Sequence, residues 1–277
     1  NDLNNLKLKK QKEYPDYEFP DKIDKDWIIS MINRIGGDLK KDLKSMGTLG
    51  GGNHYVEVNE DVDSVEPINY ITVHSGSRNL GLKICKYHQS KIDNYCKFDW
   101  IEYNSKMKKI KKKHRSSKKV HEYEIKIKEE MKSSLHPLYL EGKEMLDYLV
   151  DMIVGQNIAS LNRIIMIRNV VDNLVNESFD MSKIIETRHN YIDFDRFMLR
   201  KGSISAEDGQ ICIISLNMRD GILLCKGKGN PDWNYSSAHG CGRIMNRSYA
   251  NRHLSMKKFI KEMKGVYSTS IRKETLD

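Results

Sequence analysis

Residues 226–243 hold the highest density of side chains that could do chemistry. The stretch reads KGKGNPDWNYSSAHGCGR, so a turn of glycine and lysine leads to a single histidine, His239, among small residues. Glycines at 240 and 242 let the backbone come close to a ligand. A helix predicted over Arg243–Lys264 would direct its first N–H groups at the same point, which suits a phosphate. We interpret His239 as the reactive centre; the alternative is a glycine-rich surface loop before a helix.

Two further histidines stand next to predicted strands. His54 follows a run of three glycines and precedes a strand of alternating residues, with Asn53 beside it at the mouth of that strand. His74 ends a β-branched stretch, and Arg78 follows after a short turn, where its guanidinium could bind a phosphate oxygen. Imidazole is a common ligand of transition metals, so histidines at two rigid strand ends predict a shared metal site.

The rest of the chain predicts the elements that must position these groups. The N-terminal part is predicted to be a polar extended segment over 1–25, followed by an amphipathic helix over 25–45 that is broken at Gly36–Gly37. A long core helix from Leu138 to Ile164, with Asn162 and Arg163 on its polar side, is followed by a second helix over Val170–Glu177. The predicted strands are a histidine-bearing strand over 184–193, a glycine-broken strand over 200–206, and a hairpin of Ile211–Ser215 and Ile222–Lys226. The closing helix would point Met245, Tyr249 and Met256 inward and end near Gly265.

Nearly all of the excess positive charge lies in one segment. The net charge is +9, and residues 106–132 contain twelve Lys or Arg against four Glu, while the rest of the chain is almost balanced. We predict a basic helical insert at about 83–135, and such a cationic patch is typical of nucleic-acid binding. The alternative is a solvated lysine-rich helix pair without a partner. Trp100, Tyr103 and Tyr123 are candidates for stacking on unpaired bases.

Composition narrows the class of protein. The chain has 277 residues, enough for one or two domains, and no uncharged run approaches the roughly 20 residues that span a bilayer. Five cysteines without CxxC spacing argue against a disulfide framework: Cys85, Cys96, Cys212, Cys225 and Cys241. Four histidines in or near the basic insert are predicted to be surface or fold residues: His88, His114, His121 and His136. We expect a soluble, cytoplasmic protein without a signal peptide, of unknown oligomeric state.

Six short motifs occur in a fixed order along the chain. They are GGGNH at 50–54, HSGSR at 74–78, RHNY at 188–191, RKG at 200–202, GKGNP at 227–231 and HGCGR at 239–243. Together, over about residues 46–264, they resemble the RtcB family of RNA ligases. The resemblance implies an α+β fold, with mixed or antiparallel sheets packed against helices around a central metal and nucleotide site. It also implies a single RtcB-like catalytic domain over residues 1–277, with the basic insert and with parts lacking at both ends.

The resemblance further implies an enzyme dependent on GTP and Mn²⁺ that joins RNA 3′-phosphate or 2′,3′-cyclic phosphate ends to 5′-hydroxyl ends, in tRNA splicing or RNA repair. His239 would be the nucleophile that takes GMP, and His54, His74 and His189 would be ligands of a two-ion manganese centre. The positions that would contact the guanylate are Asn53, His189, Asn190, Ser215, Leu216, Asn217, Met218, Ile222, Gly240, Cys241 and Gly242. Ligand type alone favours zinc or iron for an imidazole-rich site, so manganese rests on the resemblance.

The chain departs from the family's pattern in three places. The family has an aspartate and a metal-bridging cysteine before the glycine loop, and residues 1–45 contain no cysteine. A terminal lysine that contacts guanine is expected beyond Asp277. A Pro-Gly-Ser-Met loop is replaced by Ser215–Met218, and a serine shortly after it by Ile222. A catalytically degenerate relative that binds RNA ends or tRNA without joining them is therefore the alternative, and a histidine-ligated metallohydrolase acting on phosphoesters is a third reading.

Overall fold

The computed structural model describes residues 2–95, 100–113, 117–133, 139–175, 178–242, 244–245 and 247–276, with only the backbone at 93–95, 100, 117–118, 132–133 and 247–248. Some positions named above lie outside the described residues: Cys96, His114, His136, Leu138, Glu177 and Arg243.

The chain divides into two compact units. The helical unit comprises residues 3–45 and 77–157, and the strand unit comprises residues 46–76 and 158–277. One helix, α7 (Gly142–Leu174), contributes its first half to the helical unit and its second half to the strand unit. All four histidines that carry the predicted chemistry fall within the strand unit.

The helical unit consists of helices packed on a small apolar core. Its helices are α1 (Asp2–Lys10), α2 (Lys25–Arg34), α3 (Leu39–Lys44), α4 (Arg78–Tyr95), α5 (Trp100–Lys113), α6 (Ser117–Ser133) and the first half of α7. Its core side chains are at most 2% exposed, and each contributes about 1.5–3 kcal/mol: Leu6, Met31, Ile32, Leu146 and Val150. The helix predicted over 25–45 and its break at the two glycines are confirmed. The described parts of the basic segment are helical. No described helix combines the length and apolar composition that a bilayer crossing requires.

A buried polar group holds the helical unit together. His88 is 2% exposed, and its Nε2 lies 2.7 Å from Asp151 Oδ2. The other carboxylate oxygen of Asp151 accepts a hydrogen bond from Arg34 Nη2 at 2.6 Å. Buried polar groups need such partners, so His88 is a fold residue, as predicted, and His121 is an exposed surface residue, as predicted.

The strand unit contains short antiparallel strand pairs. Its strands are β1 (Tyr55–Glu60), β2 (Asn69–His74), β3 (Tyr191–Asp193), β4 (Met198–Arg200), β5 (Ser203–Ser205), β6 (Ile211–Ser215), β7 (Ile222–Lys226) and β8 (Ser236–Ala238), followed by helices α8 (Arg247–His253) and α9 (Met256–Glu262). Within the described residues the pairs are β1–β2, β3–β4, β5–β8 and β6–β7. The α+β class and the predicted 211–226 hairpin are confirmed, and these sheets are antiparallel throughout.

The N-terminal segment differs from its prediction. Residues 1–25 were expected to be extended, but α1 occupies Asp2–Lys10. The polar composition of this segment does not indicate a buried side, but Leu6 is fully buried. Asp2 in the first turn and Lys9 and Lys10 in the last turn also match the helix macrodipole.

Two helix boundaries were also wrong. The stretch 170–174 continues α7 and is not a second helix, because no glycine or proline interrupts the chain after Ile164. The closing helix is split into α8 and α9, with Ser255 as the N-cap of α9. Since α8 starts at Arg247, its first N–H groups do not directly follow Gly242. Tyr249 is 46% exposed instead of inward-facing.

Candidate active site

Four histidines from separate parts of the chain form a row in the strand unit. The ring centroids of His54 and His74 are 6.0 Å apart, those of His74 and His189 5.2 Å, and those of His189 and His239 4.8 Å. The first three side chains are half-buried, while His239 is exposed. Residues that are up to 185 positions apart in sequence therefore share one neighbourhood, with the most accessible ring at the end of the row.

The β1–β2 hairpin positions the rings of His54 and His74. Its register pairs Tyr55 with His74, and the Tyr55 ring packs 5.1 Å from the His74 ring. The Tyr55 hydroxyl lies 2.6 Å from Ser215 Oγ at the end of β6. His54 Nδ1 lies 2.9 Å from the carbonyl oxygen of Leu49. Because a carbonyl only accepts, Nδ1 carries the hydrogen, and the lone pair of His54 is on Nε2.

The loop between β4 and β5 orients His239. Ala238 of β8 pairs with Ser203 of β5, and His239 Nδ1 donates to the carbonyl oxygen of Gly202 at 2.8 Å. Gly202 has a φ of 64°, a conformation that favours glycine, and its N–H donates to Asn190 Oδ1 at 2.8 Å. The same donor rule leaves the lone pair of His239 on Nε2, the nitrogen that is free to react.

Burial keeps the two central rings neutral. Desolvation lowers the pKa of His74 to about 4, and the neighbouring His189 and His54 rings add to the effect. Desolvation also lowers the pKa of His189, and electrostatic interaction with the neighbouring His239 and Arg163 side chains lowers it further. Neutral imidazole has the lone pair that a metal requires. At pH 7 both central rings are thus in the form that binds a cation.

The central pair fits a divalent cation. His74 Nε2 and His189 Nε2 are 3.3 Å apart, and two nitrogens at about 2.0–2.1 Å from one tetrahedral ion would be separated by about 3.3–3.4 Å. His189 Nδ1 is buried and meets no hydrogen-bond partner among the described residues. In that same part of the chain, no three His, Cys, Asp or Glu side chains are close enough to hold a metal as they stand. The two nitrogens therefore have the spacing of two ligands of one ion, and an ion there would need a third donor.

Two adjacent residues of α7 tie together the segments that carry the histidines. Asn162 is fully buried; its Oδ1 accepts from Gly47 N–H at 2.7 Å, and its Nδ2 donates to Ser75 Oγ at 3.1 Å. Arg163 Nη1 donates to the Ser75 carbonyl at 2.9 Å, and Nη2 pairs with Glu186. These partners lie next to the glycine loop, next to His74 and shortly before His189. The sequence signal for this role was the adjacent pair Asn162–Arg163 in the middle of a long helix, directly before the apolar run Ile164–Ile167.

Replacing Asn162 with alanine should lower the free energy of unfolding by about 2–4 kcal/mol, because it leaves several buried backbone and hydroxyl groups without partners. Urea unfolding measures the effect. Asn173→Ala is the matched control, since Asn173 is exposed on the same helix; it should change the free energy by less than about 0.5 kcal/mol. Equal midpoints for the two variants would show that Asn162 does not hold the loops.

The positions predicted to contact guanylate lie on adjoining segments. Gly240 forms a bridge with Ser215, and the Cys241 N–H donates to the Ser215 carbonyl at 3.0 Å. A Cβ at Gly240 would lie 2.8 Å from that carbonyl oxygen, so only glycine allows this approach. The others on these segments are in or next to the β6–β7 turn, or exposed in the loops: Leu216, Asn217, Met218, Ile222, Asn53 and Gly242. Their contact with a nucleotide stays a prediction.

Some motif residues serve the fold instead. Arg200 is 1% exposed and donates through Nη2 to Asp193 Oδ2 at 3.0 Å. A Cβ at Gly227 would lie 2.2 Å from the carbonyl oxygen of Glu207, so glycine there permits close backbone packing. Arg78 starts α4 in the helical unit, with a φ of 56°, and its phosphate contact stays a prediction.

Comparison with known proteins identifies the family of this chain. A family model described as tRNA-splicing ligase RtcB matches residues 34–276. The chain is 30% identical over 238 residues to the RNA-splicing ligase RtcB of Escherichia coli (strain K12), covering 78% of this chain and 49% of that protein. It is 27% identical over 267 residues to the tRNA-splicing ligase RtcB of Archaeoglobus fulgidus, covering 80% and 50%. The chain thus spans about half the length of the curated relatives it matches. Because the family model covers most of its length, the chain belongs to the RtcB family.

Proposed function

We propose that this chain carries the catalytic centre of a GTP-dependent RNA ligase, which joins RNA 3′-phosphate or 2′,3′-cyclic phosphate ends to 5′-hydroxyl ends in tRNA splicing or RNA repair. The observation that supports it most is the state of His239. This ring is exposed, its Nδ1 donates to the Gly202 carbonyl, and its centroid lies 4.8 Å from that of His189 at the end of the row of imidazoles. A fixed nucleophile beside a candidate cation site is what nucleotidyl transfer requires.

His239 would form the covalent intermediate. Its Nε2 lone pair attacks the α-phosphorus of GTP; the N–P bond forms, the bond from the α-phosphorus to the bridging oxygen breaks, and pyrophosphate leaves. The hydrogen bond from Nδ1 to the Gly202 carbonyl stabilises the positive charge that develops on the ring. Splitting one difficult transfer into two easier ones is the advantage of a covalent route.

The guanylate would then activate the RNA end. An oxygen of the RNA 3′-phosphate attacks the phosphorus of the histidine adduct, the N–P bond breaks, and an anhydride forms. The 5′-hydroxyl oxygen attacks the RNA phosphate of this anhydride, GMP leaves, and the hydroxyl proton is released. A 2′,3′-cyclic phosphate must first be opened by water to a 3′-phosphate.

His74 and His189 would hold the cation, and His54 would be the third donor. A divalent ion there, manganese by family resemblance, would offset phosphate charge. A second ion would need donors in addition to these imidazoles, because no group of three metal-binding side chains lies together in the described residues. Asn190, whose Oδ1 accepts a hydrogen bond from the Gly202 N–H, would present its side-chain amide to the guanylate.

One observation favours a second candidate function. The described residues contain no group of three metal donors in place, as expected of a degenerate relative that binds RNA ends without joining them. Both functions include binding of RNA ends, but only the ligase forms a joined RNA.

An RNA-joining assay with the full-length polypeptide separates these functions. The substrates are an end-labelled RNA with a 3′-phosphate and an acceptor RNA with a 5′-hydroxyl, with GTP and Mn²⁺; the control acceptor carries a 5′-phosphate. We expect a longer labelled product that requires GTP and the 5′-hydroxyl. Binding without joining would support the degenerate relative, and release of the 3′-phosphate alone would support a phosphoesterase.

A further inference from the structure

Helices α5 and α6 form a hairpin that has its own core. Tyr103, Met107, Ile127 and Met131 are 6–8% exposed and pack against each other. The Tyr103 hydroxyl donates to Glu124 Oε1 at 3.0 Å. Tyr103 is therefore not available to stack on a base, contrary to the expectation from sequence. One side of α5 packs in this core, and the other side is exposed.

The outward side of α5 carries positive charge that has no counter-charge. Its exposed lysines, here called the lysine face, are Lys108, Lys109, Lys111, Lys112 and Lys113. Within the described residues none of them forms an ion pair, whereas Lys106 on the same helix pairs with Glu102 at 2.7 Å. The helix macrodipole favours cations in the last turn, which accounts for the last three lysines but not for the first two.

The spacing of these lysines costs helix stability. Lysines three and four positions apart are neighbours on a helix, and like charges at this spacing repel each other. Exposed residues that served only the fold would gain from a mixture of charges, as on α6, where Lys128 pairs with Glu124 at 2.6 Å. A bound anion would reduce the repulsion between the lysines of the lysine face.

A concave surface lies beside the lysine face. This depression, of about 400 Å³, is lined by Asn104, Met107, Lys108, Lys111 and Lys112. The three lysines lie on one side of the helix because of their spacing. Three ammonium groups around one depression concentrate positive potential, which attracts a phosphate group.

The surroundings favour an anion in water over a bilayer. A helix that lies in a membrane interface inserts an exposed apolar face. The hairpin exposes Ile101 in the first turn of α5, and Tyr123 and Ile125 on α6. The lysine-bearing stretch 104–113 of α5 exposes no large apolar side chain, because Met107 packs in the hairpin core and Ile110 against it.

We propose that the lysine face is a docking surface for the phosphate backbone of single-stranded RNA. The inference rests on the proposed function, because the ligase reaction supplies RNA as the polyanion. Each phosphate that a lysine contacts releases counterions, so docking here is independent of base sequence and strongly dependent on salt.

The test compares two variants that lose the same charge. One replaces the five lysines of the lysine face with glutamine, which keeps helix propensity. The control replaces five exposed lysines that form no ion pair in the described residues: Lys12, Lys40, Lys44, Lys257 and Lys261. Fluorescence anisotropy measures binding of a short single-stranded RNA with hydroxyls at both ends, which cannot be joined, between about 50 and 200 mM salt. Circular dichroism confirms that both variants fold.

We expect the lysine-face variant to bind RNA at least about 10-fold more weakly at the lowest salt, with a log–log salt slope smaller by about 2–3, at about 0.7 per lost contact. The control should keep most of the affinity and slope. Equal losses in both variants, or none, overturn the docking surface, as does binding to phosphatidylserine vesicles with no binding to RNA. Labelling of the parent chain by GTP is measured separately. Absence of labelling would contradict the proposed ligase function, whereas a difference in salt slope between the two lysine variants would still support the docking surface.

Discussion

His239→Ala should abolish covalent labelling of the protein by GTP, lowering it by more than about 10³-fold, the scale seen when an enzyme loses its nucleophile. His239 is the exposed ring in the row, and the hydrogen bond from its Nδ1 to the Gly202 carbonyl leaves the lone pair on Nε2. The protein is incubated with GTP labelled at the α-phosphate and Mn²⁺, and bound label is counted after denaturation.

His121→Ala is the matched control for this experiment. His121 is an exposed imidazole on α6, with 70% of its side chain accessible, so its loss should leave the labelling unchanged. Labelling that persists in His239→Ala would assign the nucleophile to another residue. Absence of labelling in the parent polypeptide would favour the degenerate relative.

His74→Ala and His189→Ala should each weaken divalent-metal binding by about 100-fold or more. Mutation of residues that only hydrogen-bond to metal ligands lowers metal affinity by about 10–100-fold, and loss of a ligand itself should lower it further. Isothermal calorimetry without nucleotide measures this directly. Zn²⁺ should bind more tightly than Mn²⁺, because nitrogen donors follow the usual order of divalent metals.

The double variant tests whether the two rings share one ion. If they do, removing the second ring after the first costs much less than removing it alone, and the two effects are not additive. The 3.3 Å separation of their Nε2 atoms is the basis of this expectation. Independent, additive losses would place the rings in different sites, and unchanged affinity would remove the cation site altogether.

Local pattern predicted much of the fold. The alternation after the glycine loop predicted β1, and two apolar runs around a turn predicted the β6–β7 hairpin. Two aspartates that cap α2 and α3 explain why the helix break at Gly36–Gly37 was also right. These elements are determined by neighbours in sequence, which is why sequence was sufficient.

Long-range contacts were beyond the sequence. The burial of Leu6 turns a polar segment into α1, and nothing near Leu6 indicates which side chains cover it. The role of Asn162 depends on hydrogen bonds to residues 86 to 115 positions away. Such bonds have no periodic signal, so the sequence around Asn162 does not show which groups its side chain contacts.

The candidate site shows the same division. Histidines next to strand ends were visible in the sequence, and their meeting followed from β1–β2 pairing. Which nitrogen of each ring is free depended on the carbonyls of Leu49 and Gly202, which only the folded chain places. The helix expected to begin directly after Gly242 begins instead at Arg247.

The measurement that tests the central claim most directly is the position of GMP on the labelled protein. Peptide mapping by mass spectrometry identifies the modified residue, and NMR of the phosphorus–nitrogen bond identifies the ring nitrogen. We predict GMP on Nε2 of His239, because Nδ1 is engaged by Gly202. GMP on Nδ1, on a lysine, or on no residue of the chain would contradict the account.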